Sequence, residues 1–234
     1  MHRRTFVAAA GIAGFAGLAG CGGLPDEVTV TAQPATIESA TASDAGYETA
    51  GPESFELEQS VDVAGESRLL RATTWTTAYT GEAGPLIVLS TPDVTVAGQS
   101  LNPLAQLSGT ELIARLLEEF ASGSELSVRE LEPAGNTPVT VFEKEATIEE
   151  FTGVVESSGS GGQTNQFTGN TTSSDGVPIR LFLLSVSHTY NDDTDVIFSL
   201  SFQPQAQTDP ETIYTLYESL QHPVSPPASA NSSQ

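Results

Sequence analysis

The chain has 234 residues, a single cysteine, and 30 Asp plus Glu against eight Lys plus Arg, for a formal net charge of −22. A field of that sign excludes charge-driven binding to nucleic acid or to anionic lipid headgroups, since both require a positive surface. A lone cysteine excludes an intramolecular disulfide, so the fold rests on its apolar core.

In chain order, the first feature is Arg3 and Arg4, followed by an apolar run from Phe6 to Gly20 diluted by Gly11, Gly14, Gly17 and Gly20, and closed by Leu18-Ala19-Gly20-Cys21. A basic start, a short apolar stretch and a small-residue cleavage site describe a secretory signal over residues 1–20. The run falls short of the roughly 20 residues a helix needs to cross a bilayer. Arg3-Arg4-Thr5-Phe6-Val7 resembles the twin-arginine export motif, with His2 where Ser or Thr is usual. Leu18, Ala19, Gly20 and Cys21 resemble a lipobox. The resemblance implies export of a folded protein whose mature first residue, Cys21, carries a thioether-linked lipid. One acyl chain binds membranes only marginally and no basic patch follows Cys21, so a two-chain lipid is expected. Residues 21–27 are then a lipidated tether.

Removing residues 1–20 takes Arg3 and Arg4 from the eight bases and removes no acid; Lys144 is the only lysine. The acids are scattered over the chain, as on a generally acidic surface. In dilute buffer such a surface repels itself, whereas at 1 M salt the screening length falls to about 3 Å. A brine-adapted, halophilic protein is expected.

Residues 28–222 read as a single α+β domain. Val28 to Ala32 is a strand and Pro34 to Ala45 a modest helix closed by Gly46. Phe55, Leu57, Val61 and Val63 alternate with polar residues in a half-buried strand, which turns at Ala64-Gly65-Glu66. It returns over Leu69 to Tyr79, with Leu69, Trp75 and Tyr79 on one face. Pro85 to Ser90 and Val94 to Ala97 are short strands. Ser108-Gly109-Thr110-Glu111 has the form of a capping box, with Leu107 and Leu112 as a staple and an apolar face of Leu112, Ile113, Leu116, Leu117 and Phe120. Gly123 ends that helix. Leu126 to Leu131, Val139 to Phe142 and Thr147 to Val155 are strands, and residues 157–176 are a Ser/Gly/Thr/Asn-rich flexible loop. Val177 to Tyr190 and Thr194 to Phe202 form a hairpin turned by Asn191-Asp192-Asp193. That turn sets Phe182, Leu184, Val186, His188 and Tyr190 against Val196, Phe198, Leu200 and Phe202. Pro210 starts a last helix, where its missing N–H costs nothing. Residues 223–234 are a polar, disordered tail. The sum is an antiparallel sheet covered by two or three helices, and the late hairpins followed by a terminal helix resemble the PsbP-like α/β/α sandwich.

Motifs for catalysis are absent: no nucleophile elbow, phosphate loop, zinc helix or dinucleotide fingerprint occurs. With two scattered histidines left after signal removal a zinc site is not expected, and no cofactor is implied. His222 suits a helix end. Asp192, Asp193 and Asp195 form the one candidate calcium run, but it lacks the central Gly and terminal Glu of a calcium loop, so no metal is expected there and a solvated turn is the favoured reading. Trp75, Tyr79 and His188 are candidate pocket residues, with a core role the alternative. Paired acids such as Glu149-Glu150 cannot be singled out from so many. Asn170 and Asn231 head N-x-Ser/Thr acceptor patterns for glycosylation.

Thr74-Trp75 with Tyr79, Leu89-Ser90-Thr91-Pro92 before a strand, and Asn102-Pro103 leading into the Ser108 helix make the chain similar to an uncharacterised family of exported haloarchaeal lipoproteins. The resemblance implies an address on the outer face of the cytoplasmic membrane and no catalytic residues. The expected function is a lipid-anchored, non-enzymatic binding or envelope-structural domain, its partner an envelope protein or a small ligand. The alternative is an exported hydrolase-like enzyme with an acidic site. The charge predicts that the midpoint of thermal unfolding, followed by circular dichroism, rises steeply from dilute buffer to multimolar KCl; an unchanged midpoint removes the halophilic reading.

Overall fold

The computed structural model describes residues 27–63, 66–96, 99–100, 102–120, 126–157 and 176–226. The signal segment, Cys21, Asn170, Asn231 and Gly123 lie outside these residues, as does most of the loop at 157–176.

The molecule is mainly β. One eight-stranded sheet contains β1 (Glu27–Thr31), β3 (Tyr47–Val63), β4 (Glu66–Gly81), β5 (Leu86–Pro92), β8 (Leu126–Val141), β9 (Lys144–Ser157), β10 (Val177–Tyr190) and β11 (Asp193–Pro204). The order is β1-β4-β5-β11-β10-β9-β8, with β3 on the other edge of β4. Every pairing is antiparallel except β1 with β4. Because β3 occupies one edge of β4, β1 and β5 share the opposite edge end to end, at Leu69–Thr73 and Trp75–Tyr79. Two small ribbons are added, β2 (Thr36–Ile37) with β12 (Leu220–Gln221), and β6 (Thr95–Val96) with β7 (Gln99–Ser100). The helices are few and short: α1 (Ser39–Asp44), α2 (Gly109–Phe120) and α3 (Pro210–Glu218). Among the described residues no helix is long and apolar enough to cross a membrane.

The sheet buries both faces. On one, Val88, Phe182, Leu184, Val186 and Ile197 pack with Ala42 of α1 and Ile213, Leu216 and Tyr217 of α3. On the other, Leu89, Leu181, Leu183, Phe198 and Leu200 pack with Leu112, Ile113 and Leu116 of α2. The helices cover only part of the sheet. The edge strand β3 presents exposed Glu48, Glu53, Glu56 and Glu58, and the other edge, β8, is broken by register shifts near Pro133, so both resist edge-to-edge pairing.

Three expectations are corrected. Residues 34–37 are extended rather than helical, because β-branched Thr36 and Ile37 pair with β12 and only Ser39–Asp44 coils. The segments at 126–131 and 139–142 belong to one strand, continuous through two irregularities. The β10–β11 turn has two residues, Asn191 and Asp192, at φ 45° and 72°, so Tyr190 pairs with Asp193. Two positive φ values in a two-residue loop match the type I′ hairpin turn. A turn shorter by one residue moves the whole partner strand to the other face. Phe182, Leu184, Val186 and His188 therefore stand opposite Ser201, Ser199, Ile197 and Asp195, while Val196, Phe198, Leu200 and Phe202 join Ser187, Ser185, Leu183 and Leu181 on the α2 side.

Gly84 links β4 to β5 at φ +121°, and a Cβ there would run into the carbonyl oxygen of Phe202. Gly84→Ala is predicted to destabilise the fold by on the order of 3 kcal/mol, through combined clash and backbone strain, measured by urea unfolding in high salt.

Candidate functional site

The site begins with three side chains on one face of β4. Trp75 Nε1 donates to the Ala32 carbonyl at 3.0 Å, Thr77 Oγ1 donates to the Ala35 carbonyl at 2.8 Å, and the Ile37 N–H donates to Tyr79 Oη at 2.7 Å. Alternate residues of a strand share a face, so this spacing suits a chain laid along it. Trp75 and Tyr79 thus fasten the segment after β1. They share a sheet face with His188.

That fastened segment carries Gln33 to the mouth of the central hairpin. There Asp195 Oδ2 accepts from the Gln33 N–H at 2.7 Å, from Tyr190 Oη at 2.9 Å and from His222 Nε2 at 3.0 Å. Asp195 is 1% exposed and His222 7%. His222 follows β12, which is held beside β2, and the Val224 N–H donates to the Pro34 carbonyl at 3.0 Å. His222 Nδ1 lies 2.9 Å from His188 Nδ1. The ring of Phe142 stacks on His188 at 4.3 Å and 21°. Phe142 and Glu143 form the two-residue β8–β9 turn at φ 51° and 61°, a costly conformation for an aromatic residue, and that turn brings the ring over the histidine.

Hydrogen-bond accounting assigns the tautomers of the neutral pair. His222 Nε2 faces a carboxylate and carries a hydrogen, which leaves its Nδ1 with a lone pair. His188 Nδ1 must then donate to it, and His188 Nε2 retains the other lone pair. The result is a carboxylate–imidazole–imidazole chain that begins in the interior and ends on a half-buried ring. Burial first, then the electrostatic influence of the neighbouring His222 and Lys144, holds His188 below the usual imidazole range, with Asp195 opposing them. Burial and the Asp195 charge push the Tyr190 phenol up, so it stays a donor.

A second polar cluster lies on the same face. Glu150, 5% exposed, accepts from Thr137 Oγ1 at 2.8 Å and from Tyr214 Oη of α3, and pairs with Arg180 Nη2 at 3.0 Å. Its acceptors are occupied, and it docks α3 onto β8 and β9. A cleft of about 590 Å³ opens between α1 and the β3–β4 pair, lined by Ser43, Tyr47, Glu48, Thr80 and Glu82 among others, away from both clusters.

The structure therefore joins His188 and Asp195, drawn from two different sequence-predicted sets, and adds His222 and Tyr190. Asp192 and Asp193 stay exposed on the turn while Asp195 points inward to its three donors. Among the described residues no group of three or more His, Cys, Asp or Glu is placed to hold a metal ion. Reading Asn191-Asp192 as a two-residue turn would have set His188 opposite Asp195; no sequence signal pointed to His222.

A family profile described as a domain of unknown function (DUF6517) matches residues 34–221. No curated protein matches the chain. Among solved structures, the solution structure of cyanobacterial PsbP (CyanoP) from Synechocystis sp. PCC 6803 is similar with a TM-score of 0.31 and 14% identity, covering 87% of this chain and 98% of that one.

The lowered His188 pKa has a defined sign. The unfolded chain takes up this proton near pH 6.5, the folded one only at lower pH. The ring's contribution to stability is thus complete above the ordinary value and is lost as pH falls through the folded value. Unfolding midpoints should drop between about pH 7.5 and about pH 5.5, and His188→Gln should flatten that drop.

Proposed function

Since the chain belongs to the DUF6517 family of unknown function and takes no activity from it, we propose a function from its own residues. The protein is an exported lipoprotein, held by a lipid on Cys21 at the outer face of the cytoplasmic membrane, where its domain binds an envelope protein or a small ligand. The observation that carries this reading is the order Arg3-Arg4, Phe6, then Leu18-Ala19-Gly20-Cys21, with β1 opening at Glu27. Six residues of extended chain reach at most about 20 Å, so the β1 end of the sheet lies close to the lipid surface. The twin-arginine route suits a domain that folds before export, and the acidic surface suits brine. Glycans on Asn170 and Asn231 are consistent with the same address. Hydrophobic clusters on both sheet faces support an α/β/α layering of the PsbP-like kind.

A second reading, an exported enzyme, is favoured by one observation, the Asp195–His222–His188 chain.

Cys21→Ala is expected to move the protein from the membrane fraction to the medium, and mass spectrometry of the wild-type amino-terminal peptide should show a two-chain lipid on Cys21. An intact, unprocessed amino terminus recovered from cytosol overturns the lipoprotein reading.

A further inference from the structure

We propose that His188 is a nucleophile toward small activated carboxylic esters, with His222 as its base and Asp195 as the residue that positions that base. The proposal rests on the exported-enzyme reading and names its reacting atom and substrate class.

Three features of the geometry support it. The tautomers forced by Asp195 leave the Nε2 lone pair of His188 free while its Nδ1–H points at His222 Nδ1, 2.9 Å away. This is the logic of a carboxylate-oriented base acting on a nucleophile, with an imidazole in the nucleophile's place. The rings are also held: Phe142 stacks on His188, Tyr190 lies at 82° to His222 with centroids 4.9 Å apart, and Asp195 is fixed by Gln33 and Tyr190. Finally, Lys144 is the only lysine of the chain. The β9–β10 register sets Ile148 beside Leu184. Lys144 opens β9 four residues before Ile148 and His188 lies four residues after Leu184, so the lone lysine sits at the same end of this strand pair as the histidine, where its charge can favour a developing oxyanion.

The step balances without a further reactant. Nε2 attacks the carbonyl carbon, the ester C–O bond breaks, and the alkoxide leaves as the Nδ1 proton passes to His222 Nδ1. Water then adds to the acyl carbon of the acyl-imidazole and the carbon–Nε2 bond breaks, its electron pair returning to the ring. His222 hands its proton back to His188 Nδ1. The hydroxyl of the water leaves in the carboxylic acid, and its remaining proton joins the alkoxide to give the alcohol.

The test uses the purified full-length protein in high-salt buffer with p-nitrophenyl acetate. Hydrolysis should exceed that by equimolar free imidazole by about 100-fold. His188→Gln should abolish the excess. Asp195→Asn, which weakens the positioning of His222, should lower the rate and shift its pH profile. Acid quenching of the wild type should trap an acetyl group on the peptide containing His188, a result that depends on no variant folding. Rates no higher than free imidazole together with no adduct overturn both this assignment and the enzyme reading. Hydrolysis that survives His188→Gln, with the adduct elsewhere, overturns this assignment and leaves the enzyme reading standing. Membrane partition of the same preparation reports on the lipid anchor independently of either result.

Discussion

Asp195 Oδ2 takes hydrogen bonds from Gln33, Tyr190 and His222, and through these three donors both ends of the folded domain are fastened to its central hairpin. A carboxylate so deeply buried is expensive unless its hydrogen bonds are made. Tyr190 comes from the same hairpin, whereas Gln33 and His222 come from the segment after β1 and the residue after β12, so the carboxylate has all three donors only once both of those segments have docked. The polar cluster thereby specifies the arrangement as well as stabilising it.

The two faces of the sheet divide the remaining work. The face toward α2 is apolar, with Phe198 and Leu200 on β11 packed against Leu112 and Leu116. The opposite face carries small polar residues on the same strand, Ser199 and Ser201, both fully buried. Small side chains let α3 approach closely enough for Tyr217 Oη to donate to the Phe182 carbonyl at 2.8 Å. Glu150 receives Tyr214 of the same helix and fixes its outer flank. A chain without a disulfide thus closes a short helix onto a wide sheet with buried hydroxyls and one ion-paired carboxylate.

The tips of two hairpins meet at the histidine pair. Phe142-Glu143 and Asn191-Asp192 are both two-residue turns at positive φ, and each sets the register of a long strand pair. One turn lays an aromatic ring on His188; the other places Asp195 across from it. Loops rather than regular elements carry the strain here, as is common where side chains must be aimed.

Much of the fold was legible in the residues. Alternation in β3 and β10, the apolar face of α2 and Pro210 at the start of α3 are local signals, and the chain obeys them. The stretch 34–37 was not legible, because its extended form depends on Trp75, Thr77 and Tyr79, some forty residues away. Nor was the side of the sheet that β11 presents beside β10, since the residues show which of its side chains share a face but the pairing hangs on a turn one residue shorter than expected. The residues by themselves settled the charge, the want of a disulfide, the strand-rich pattern and the places of two helices, all properties of composition and short-range spacing. Only the tertiary structure decided that His188, Asp195 and His222 form one chain. Their meeting depends on a one-residue difference in turn length and on a strand pairing that joins residues 36–37 to 220–221, and neither is encoded within a single window of sequence.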